Sequence, residues 1–194
     1  MPLGANKVAL YGASADTGSA VLLSTETASS SASLSFTLPT AYKQVKFGFY
    51  NITPATDNVA FQFQMSTDSG SSYATTVTTT IFIAEHNEAD SYSALSYRTG
   101  DDLAQSTSMM SIAPYIDNAS DASTSGELIV YNPSSTTYVK HFYSRMPTLA
   151  NGDYAFDTFY AGYGNTTSAV DALKFAMSSG NFDGVIKQYG LVAS

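Results

Sequence analysis

The chain has 194 residues, a formal net charge of -8 and no cysteine. This length suits one domain with a large core, since such a chain buries roughly 70% of the surface that its unfolded form exposes. The missing cysteines exclude disulfides, thiolate metal ligands and thiol nucleophiles, and the acidic balance argues against nucleic acid as a partner, because phosphate binding requires clustered cations.

The N-terminal residues 1–18 are small and weakly apolar, and they include three glycines. One interpretation is a frayed terminus. The other is an extended arm that becomes ordered against a neighbouring subunit. Its anchors would then be Leu3, Val8, Leu10 and Tyr11. We therefore separate an arm, 1–18, from a single β-sandwich domain, 19–194, and expect deletion of residues 1–16 to weaken attachment to a particle without unfolding the sandwich.

Apolar residues alternate with small or polar residues along most of the remaining chain, as in strands with one buried face. The clearest run places Phe61, Phe63 and Met65 on one face, and Phe47 and Phe49 alternate in the same way. Strands are predicted around 34–36, 45–49, 59–65, 76–84, 126–132, 136–144, 153–163, 172–178 and 184–191. With about nine to eleven strands and little helix, the fold class is all-β, an antiparallel, jelly-roll-like β-sandwich.

Three connecting or ambiguous segments complete the prediction. Residues 132–135, Asn-Pro-Ser-Ser, favour a hairpin between the strands on either side. Residues 168–177 are rich in alanine, which favours a helix, but their alternation and the following Ser-Ser-Gly-Asn turn favour a strand. Residues 85–105 hold five carboxylates and one arginine, and they are predicted to form an acidic loop at one end of the sandwich.

No enzyme motif is present. The chain has two histidines, and it lacks the nucleophile elbow, the zinc-protease helix motif, the P-loop and the dinucleotide fingerprint. Asp153 and Asp157 would lie about 13 Å apart on one strand, which is too far for a pair of glycosidase carboxylates. A metal site at Glu85, His86 and Asp90 would lack a fixed ligand spacing. We predict no catalysis, no cofactor and no metal, and no membrane contact, since no apolar run reaches about 18 residues.

Tyrosine is unusually abundant, with 14 residues against no tryptophan. An exposed aromatic platform is typical of carbohydrate sites. Its candidates here are Tyr92, Tyr97, Tyr160 and Tyr163. The favoured alternative places several tyrosines at core edges and subunit interfaces. Because only 12% of the residues in the chain are charged, its surface should cost little side-chain entropy to order in an interface. A closed homotrimer would suit a sandwich presented on a particle.

Three stretches resemble short virion proteins of tailed bacteriophages. The first is Gly4-Ala5-Asn6-Lys7 with the following Ala9-Leu10 and Gly12-Ala13, and the second is Asn51-Ile52-Thr53-Pro54-Ala55-Thr56-Asp57-Asn58. The third is the ending, in which the strand at 175–177 is followed by Ser-Gly-Asn and by a last strand that finishes in Tyr189-Gly190-Leu191. The similarity covers about a third of the chain, and it includes no catalytic residue.

The resemblance implies a jelly-roll-like structural protein of a virion that is assembled in the host cytoplasm. One common use of such a module is capsid decoration (cement), in which homotrimers on the head bridge subunits of the major capsid protein. The alternative is a tail fibre or host-recognition module that binds cell-surface glycan. The short chain carries no long attachment stalk, which favours decoration.

Overall fold

A computed structural model describes residues 20–191. These residues form twelve antiparallel strands and no helix, so the all-β, sandwich-like prediction is confirmed, with one strand more than the expected range. The predicted anchors Leu3, Val8, Leu10 and Tyr11 lie outside the described residues. The strands are β1 (Ala20–Ser31), β2 (Leu34–Thr37), β3 (Gln44–Pro54), β4 (Val59–Ser66), β5 (Val77–Asn87), β6 (Ser93–Tyr97), β7 (Met110–Ile116), β8 (Thr124–Tyr131), β9 (Lys140–Ala150), β10 (Tyr154–Gly164), β11 (Ala172–Met177) and β12 (Phe182–Leu191).

The strands form a large sheet and a small sheet that are joined at one point. The large sheet has the order β6-β5-β10-β9-β8-β3-β12-β1, and the small sheet has the order β7-β4-β11-β2. The pair Ile116–Ala150 links them. At the opposite side, the Gln188 side-chain amide donates to the carbonyl of Thr37 at 2.9 Å, which ties β12 to β2 and nearly closes the sandwich. No described residue belongs to a helix able to cross a membrane.

The core between the two sheets is built from phenylalanine rings. The ring of Phe175 lies 5.1 Å from that of Phe47 and 5.3 Å from that of Phe49, centroid to centroid. Phe63 of the small sheet meets Phe142 of the large sheet edge-to-face at 5.2 Å. Such offset contacts are the arrangement that the ring quadrupole favours. The predicted alternation is therefore confirmed, because the apolar face of each of these strands is the buried one.

The structure differs from the prediction at 85–105 and in the strands β1 and β7, which were not predicted. The acidic loop expected at 85–105 is wrong, because the stretch begins inside β5 and contains β6 as well. The strand β1, with the sequence AVLLSTETASSS, was not predicted at all, because it lies at the edge of the sheet and shows almost no buried face. The segment at 168–177 does form a strand from Ala172 onward, and the hairpin at 132–135 does join the paired strands β8 and β9.

Candidate functional site

The outer face of the large sheet, the side turned away from the small sheet, is rich in exposed apolar side chains. Directly paired residues share a face, and the pairs Phe82–Tyr97 and Ala84–Leu95 place β6 side chains on this side of β5. Among the described residues, six of the ten exposed large apolar side chains lie here. They are Leu22, Tyr50, Phe82, Leu95, Tyr97 and Tyr143.

Stacked rings order the middle of the outer face. Phe82 and Phe159 are stacked at 4.7 Å with nearly parallel planes, and the Arg145 guanidinium lies 4.9 Å from the centre of the Phe159 ring. Tyr143, Phe82 and Phe159 line a shallow depression of about 190 Å³. A flat guanidinium over an aromatic ring adds attraction beyond burial alone, so this centre is a firm, largely apolar platform.

Two ion pairs lie on the outer face. Arg145 donates from Nε and Nη2 to the two carboxylate oxygens of Asp157 at 3.0 and 2.6 Å, and this bidentate bond raises the pKa of the guanidinium. Lys46 forms an ion pair with Glu127 on the neighbouring strand. Paired charges need no counterion from a partner. Lys187, which also lies on this face, has its ammonium group 5.2 Å from the centre of the Tyr50 ring, away from the stacked rings of Phe82 and Phe159. The middle of the face is therefore apolar, as the core of an interface is.

A second feature of the large sheet is its long terminal strand. In the part of the chain that the structure describes, β1 pairs only with β12, over twelve residues that carry a single charge, Glu26. Natural edge strands are usually short or carry charges that block further pairing. The free edge of β1 is therefore open to pairing with another strand.

A cleft lies at one end of the large sheet, on the opposite side from the outer face. Its volume is about 350 Å³. The walls are three tyrosines, Tyr92 from the β5–β6 turn, Tyr115 from β7 and Tyr154 from the start of β10. The other lining residues are Asn58, Glu85, Arg98, Asn151 and Phe156. We refer to this feature as the tyrosine cleft.

A buried ion pair forms the floor of the tyrosine cleft. Glu85 is 8% exposed, and its Oε2 accepts a hydrogen bond from Nη2 of Arg98 at 2.6 Å. Its Oε1 also lies 3.3 Å from the Ser96 hydroxyl and 3.4 Å from the Tyr92 hydroxyl, both of which donate to it. Because the carboxylate is held from three sides, its orientation in the cleft is fixed before any ligand arrives.

Tyr115 reaches the cleft through an irregularity in β7. The pairs Val59–Ile116 and Phe61–Ala113 set two steps of β4 against three of β7, which is a β-bulge. Tyr115 takes a positive φ of 61° there, a conformation that costs energy for a bulky residue. Its hydroxyl donates to Asp101 at 3.1 Å, and partial burial together with this carboxylate raises the pKa of the phenol. Bulges commonly re-aim a side chain in this way.

The structure does not bring the four predicted glycan tyrosines together. Tyr92 lies in the tyrosine cleft, Tyr97 on the outer face, and Tyr163 near the end of β10 with its ring 6.2 Å from that of His141. Tyr160 is a correction, because it is 1% exposed and donates from its hydroxyl to Thr79 at 2.9 Å. It shares the inward face of β10 with Phe156 and Thr158, so its ring cannot serve as a platform.

The acidic residues around His86 do not converge. His86 lies 3.1 Å from an exposed carboxylate oxygen of Asp90, whereas Glu85 points to the other face of β5. Among residues 20–191, no three carboxylate or imidazole side chains gather as potential metal ligands. Arg98, Tyr115 and Tyr154 were not predicted as cleft residues, because they lie far apart in the sequence and only the packing of the two sheets brings them together.

Comparison with known proteins adds no relative to this picture. No protein-family model matches the sequence, and no curated protein matches it either. The outer face and the tyrosine cleft are therefore the two candidate functional surfaces among the described residues.

Proposed function

We propose that this chain is a non-enzymatic structural protein of a tailed-bacteriophage virion, a decoration protein that bridges subunits of the major capsid protein. The observation that carries the proposal is the outer face across the successive strands β6, β5, β10 and β9, where Phe82, Leu95, Tyr97 and Tyr143 are exposed together beside the Arg145–Asp157 ion pair. An apolar patch of this kind on a protein that is otherwise rich in serine and threonine marks a surface for another protein.

The mechanism follows from the arrangement of this face. The stacked rings of Phe82 and Phe159 give a platform that loses little side-chain freedom when a partner covers it. Leu95, which is 72% exposed, projects from the edge strand β6 and offers the largest gain from burial. Contacts that are weak singly become strong when many copies bind to one lattice, and the sum opposes separation of the capsid subunits.

The proposed homotrimer uses the other free edge. β1 offers twelve residues of unpaired strand edge among the described residues, and it is seven strands away from β6 across the sheet. A neighbouring copy that covers this edge would satisfy its backbone groups and leave the outer face free for the capsid. A monomeric mass by light scattering at micromolar concentration would contradict the trimer.

Immunogold labelling of particles from the source lysate tests the proposal directly. We expect gold over the heads. Gold confined to tails would contradict decoration and would favour the host-recognition alternative, and particles without gold would contradict both.

A matched pair of variants tests the role of the outer face. Leu95→Asp places a charge on this face, whereas Tyr138→Asp changes a tyrosine that is 69% exposed on the loop before β9. We expect Leu95→Asp to lose binding to particles made without this chain, and Tyr138→Asp to bind as the wild type does. Equal binding by the two variants would remove the outer face from the proposal.

A further inference from the structure

We propose that the tyrosine cleft is a binding site for one neutral sugar unit of a glycan. The cleft lies on the opposite side of the large sheet from the outer face, so this inference does not rest on the decoration function. It adds a small-molecule site to a chain whose other candidate surface suits a protein.

The aromatic rings of the cleft are arranged around a space that suits a sugar ring. Tyr92 and Tyr154 meet at 6.0 Å and 71°, and Tyr154 meets Phe156 at 5.9 Å and 67°. Tyr115 closes the other side, at 6.3 Å and 86° from Phe156. Tyr92 and Tyr115 are 48% and 38% exposed, so a large part of each side chain is accessible to a ligand. A sugar ring presents C–H groups on one face, and these pack against aromatic rings, while its hydroxyls need polar partners.

Polar groups among these rings suit the hydroxyls of a sugar. Sugar hydroxyls both donate and accept hydrogen bonds, so they need acceptors and donors side by side. The carboxylate of Glu85 accepts, the guanidinium of Arg98 donates, and the side-chain amides of Asn58 and Asn151 do both. Asn151 is itself positioned, because its amide nitrogen donates to Asp57 at 2.9 Å. A few oriented polar groups in an aromatic cleft are the usual composition of a small-ligand site.

The charge around the cleft restricts the ligand to neutral sugars. The ion pair with Glu85 already neutralises Arg98, at 2.6 Å. Two further carboxylates stand directly behind the lining, Asp57 bonded to Asn151 and Asp101 bonded to Tyr115. The chain also carries a net charge of -8. Uronic acids, sialic acids and phosphorylated sugars would therefore meet repulsion, and the described lining of the cleft offers no unpaired cation to offset it, whereas neutral hexoses would not.

Backbone strain supports a site that is built for a ligand. Two residues of the lining have positive φ without being glycine, Asn58 at 55° and Tyr115 at 61°. Asn151 holds the strained residue in place, because its backbone N–H donates to the carbonyl of Tyr115 at 2.8 Å. Strain of this kind persists only where the surroundings over-determine it, and it is concentrated at functional sites.

The test is saturation-transfer difference NMR on the whole chain. The probes are neutral trisaccharides of glucose, galactose and mannose, with trigalacturonic acid as the anionic counterpart. We expect transfer to at least one neutral trisaccharide and none to trigalacturonic acid. Transfer to none of the neutral probes, or equal transfer to the anionic probe, would overturn the proposal.

Matched variants locate the site. Tyr92→Ala removes an exposed cleft ring, and Tyr138→Ala removes an exposed ring outside the cleft. We expect the affinity for the neutral probe to fall about tenfold in Tyr92→Ala, which corresponds to about 1.4 kcal/mol, and to stay unchanged in Tyr138→Ala. Glu85→Gln keeps the shape of the floor and should weaken binding as well. Unchanged affinity in both cleft variants would overturn the proposal, whatever the outcome of the particle-binding experiments.

Discussion

The inner face of the large sheet has two halves that are buried in different ways. Over β3 and β12 it is covered by the small sheet, and the contact consists of rings, such as Phe47 and Phe49 against Phe175. Over β5 and β10 the buried side chains include polar ones. These are Thr79, Glu85, Thr158 and Tyr160. We call the two regions the phenylalanine half and the polar half.

The difference follows from the unequal widths of the two sheets. Four strands cannot cover eight, so the polar half is covered partly by irregular chain after β6. Irregular chain brings unpaired backbone groups, and these require partners when buried. The Leu103 N–H donates to the hydroxyl of Thr79, a buried residue of β5, at 2.8 Å. The polar half therefore obtains its order from hydrogen bonds, and it leaves a cleft where these end.

The largest effect is expected from a cavity in the phenylalanine half. Phe175 is fully buried, and its ring lies within 5.1 to 6.1 Å of five other phenylalanine rings. Phe175→Ala should lower the free energy of unfolding by about 3 to 5 kcal/mol, because the transfer energy is lost and a cavity remains. Urea denaturation measures this, with Tyr138→Ala as a control. A loss below about 1 kcal/mol would show that this half is not tightly packed.

In the polar half, the ion pair on the cleft floor should be the most sensitive point. Arg98→Met leaves the buried carboxylate of Glu85 without its strongest partner, and we expect a loss of about 1 to 3 kcal/mol. The double variant Glu85→Gln with Arg98→Met should recover part of that loss, since no unpaired charge remains. Urea denaturation of Arg98→Met, Glu85→Gln and the double variant completes a double-mutant cycle. If the losses of the two single variants simply add up in the double variant, a direct interaction between the two side chains is contradicted.

The buried phenol of Tyr160 should make the stability of the polar half sensitive to alkaline pH. Burial is the main cause that raises the pKa of its phenol above the usual 10.0, so the folded state favours the neutral form. This contribution to stability is complete below pH 10 and is lost as the pH rises further. Tyr160→Phe should reduce the fall in unfolding free energy above about pH 10, and it should cost about 1 kcal/mol at neutral pH through the lost bond to Thr79. An unchanged pH slope would contradict the role of Tyr160.

The phenylalanine half could be predicted from the sequence, and most of the polar half could not. Alternation is a local signal, so the buried positions of β3 and β4 follow from their own residues. Glu85 and Tyr160 also alternate correctly, but nothing local indicates that a carboxylate or a phenol will face inward. Their burial depends on Arg98 and Thr79, which pairing between distant strands supplies.

Lys140, the first residue of β9, is a further side chain whose burial the sequence does not indicate. Its position opposite His141 on the strand was predictable, but its complete burial was not. The ammonium group donates to the carbonyls of Tyr138 at 2.6 Å and Thr166 at 3.2 Å, and burial lowers its pKa. The Thr166 carbonyl belongs to the loop between β10 and β11, so the residues around Lys140 carry no signal for it.

The smallest effect on stability is expected at the rim of the tyrosine cleft. Tyr92 is 48% exposed, and its hydroxyl lies 3.4 Å from a carboxylate that is already held by Arg98. Tyr92→Phe and Tyr92→Ala should therefore change the unfolding free energy by no more than about 0.5 kcal/mol, as measured by urea denaturation. A larger loss would show that the Tyr92 ring contributes to the packing of the polar half. A negligible loss, together with weaker binding of the neutral trisaccharides, would mean that the ring is exposed for a ligand, because a side chain that contributes to affinity and not to folding is placed for recognition.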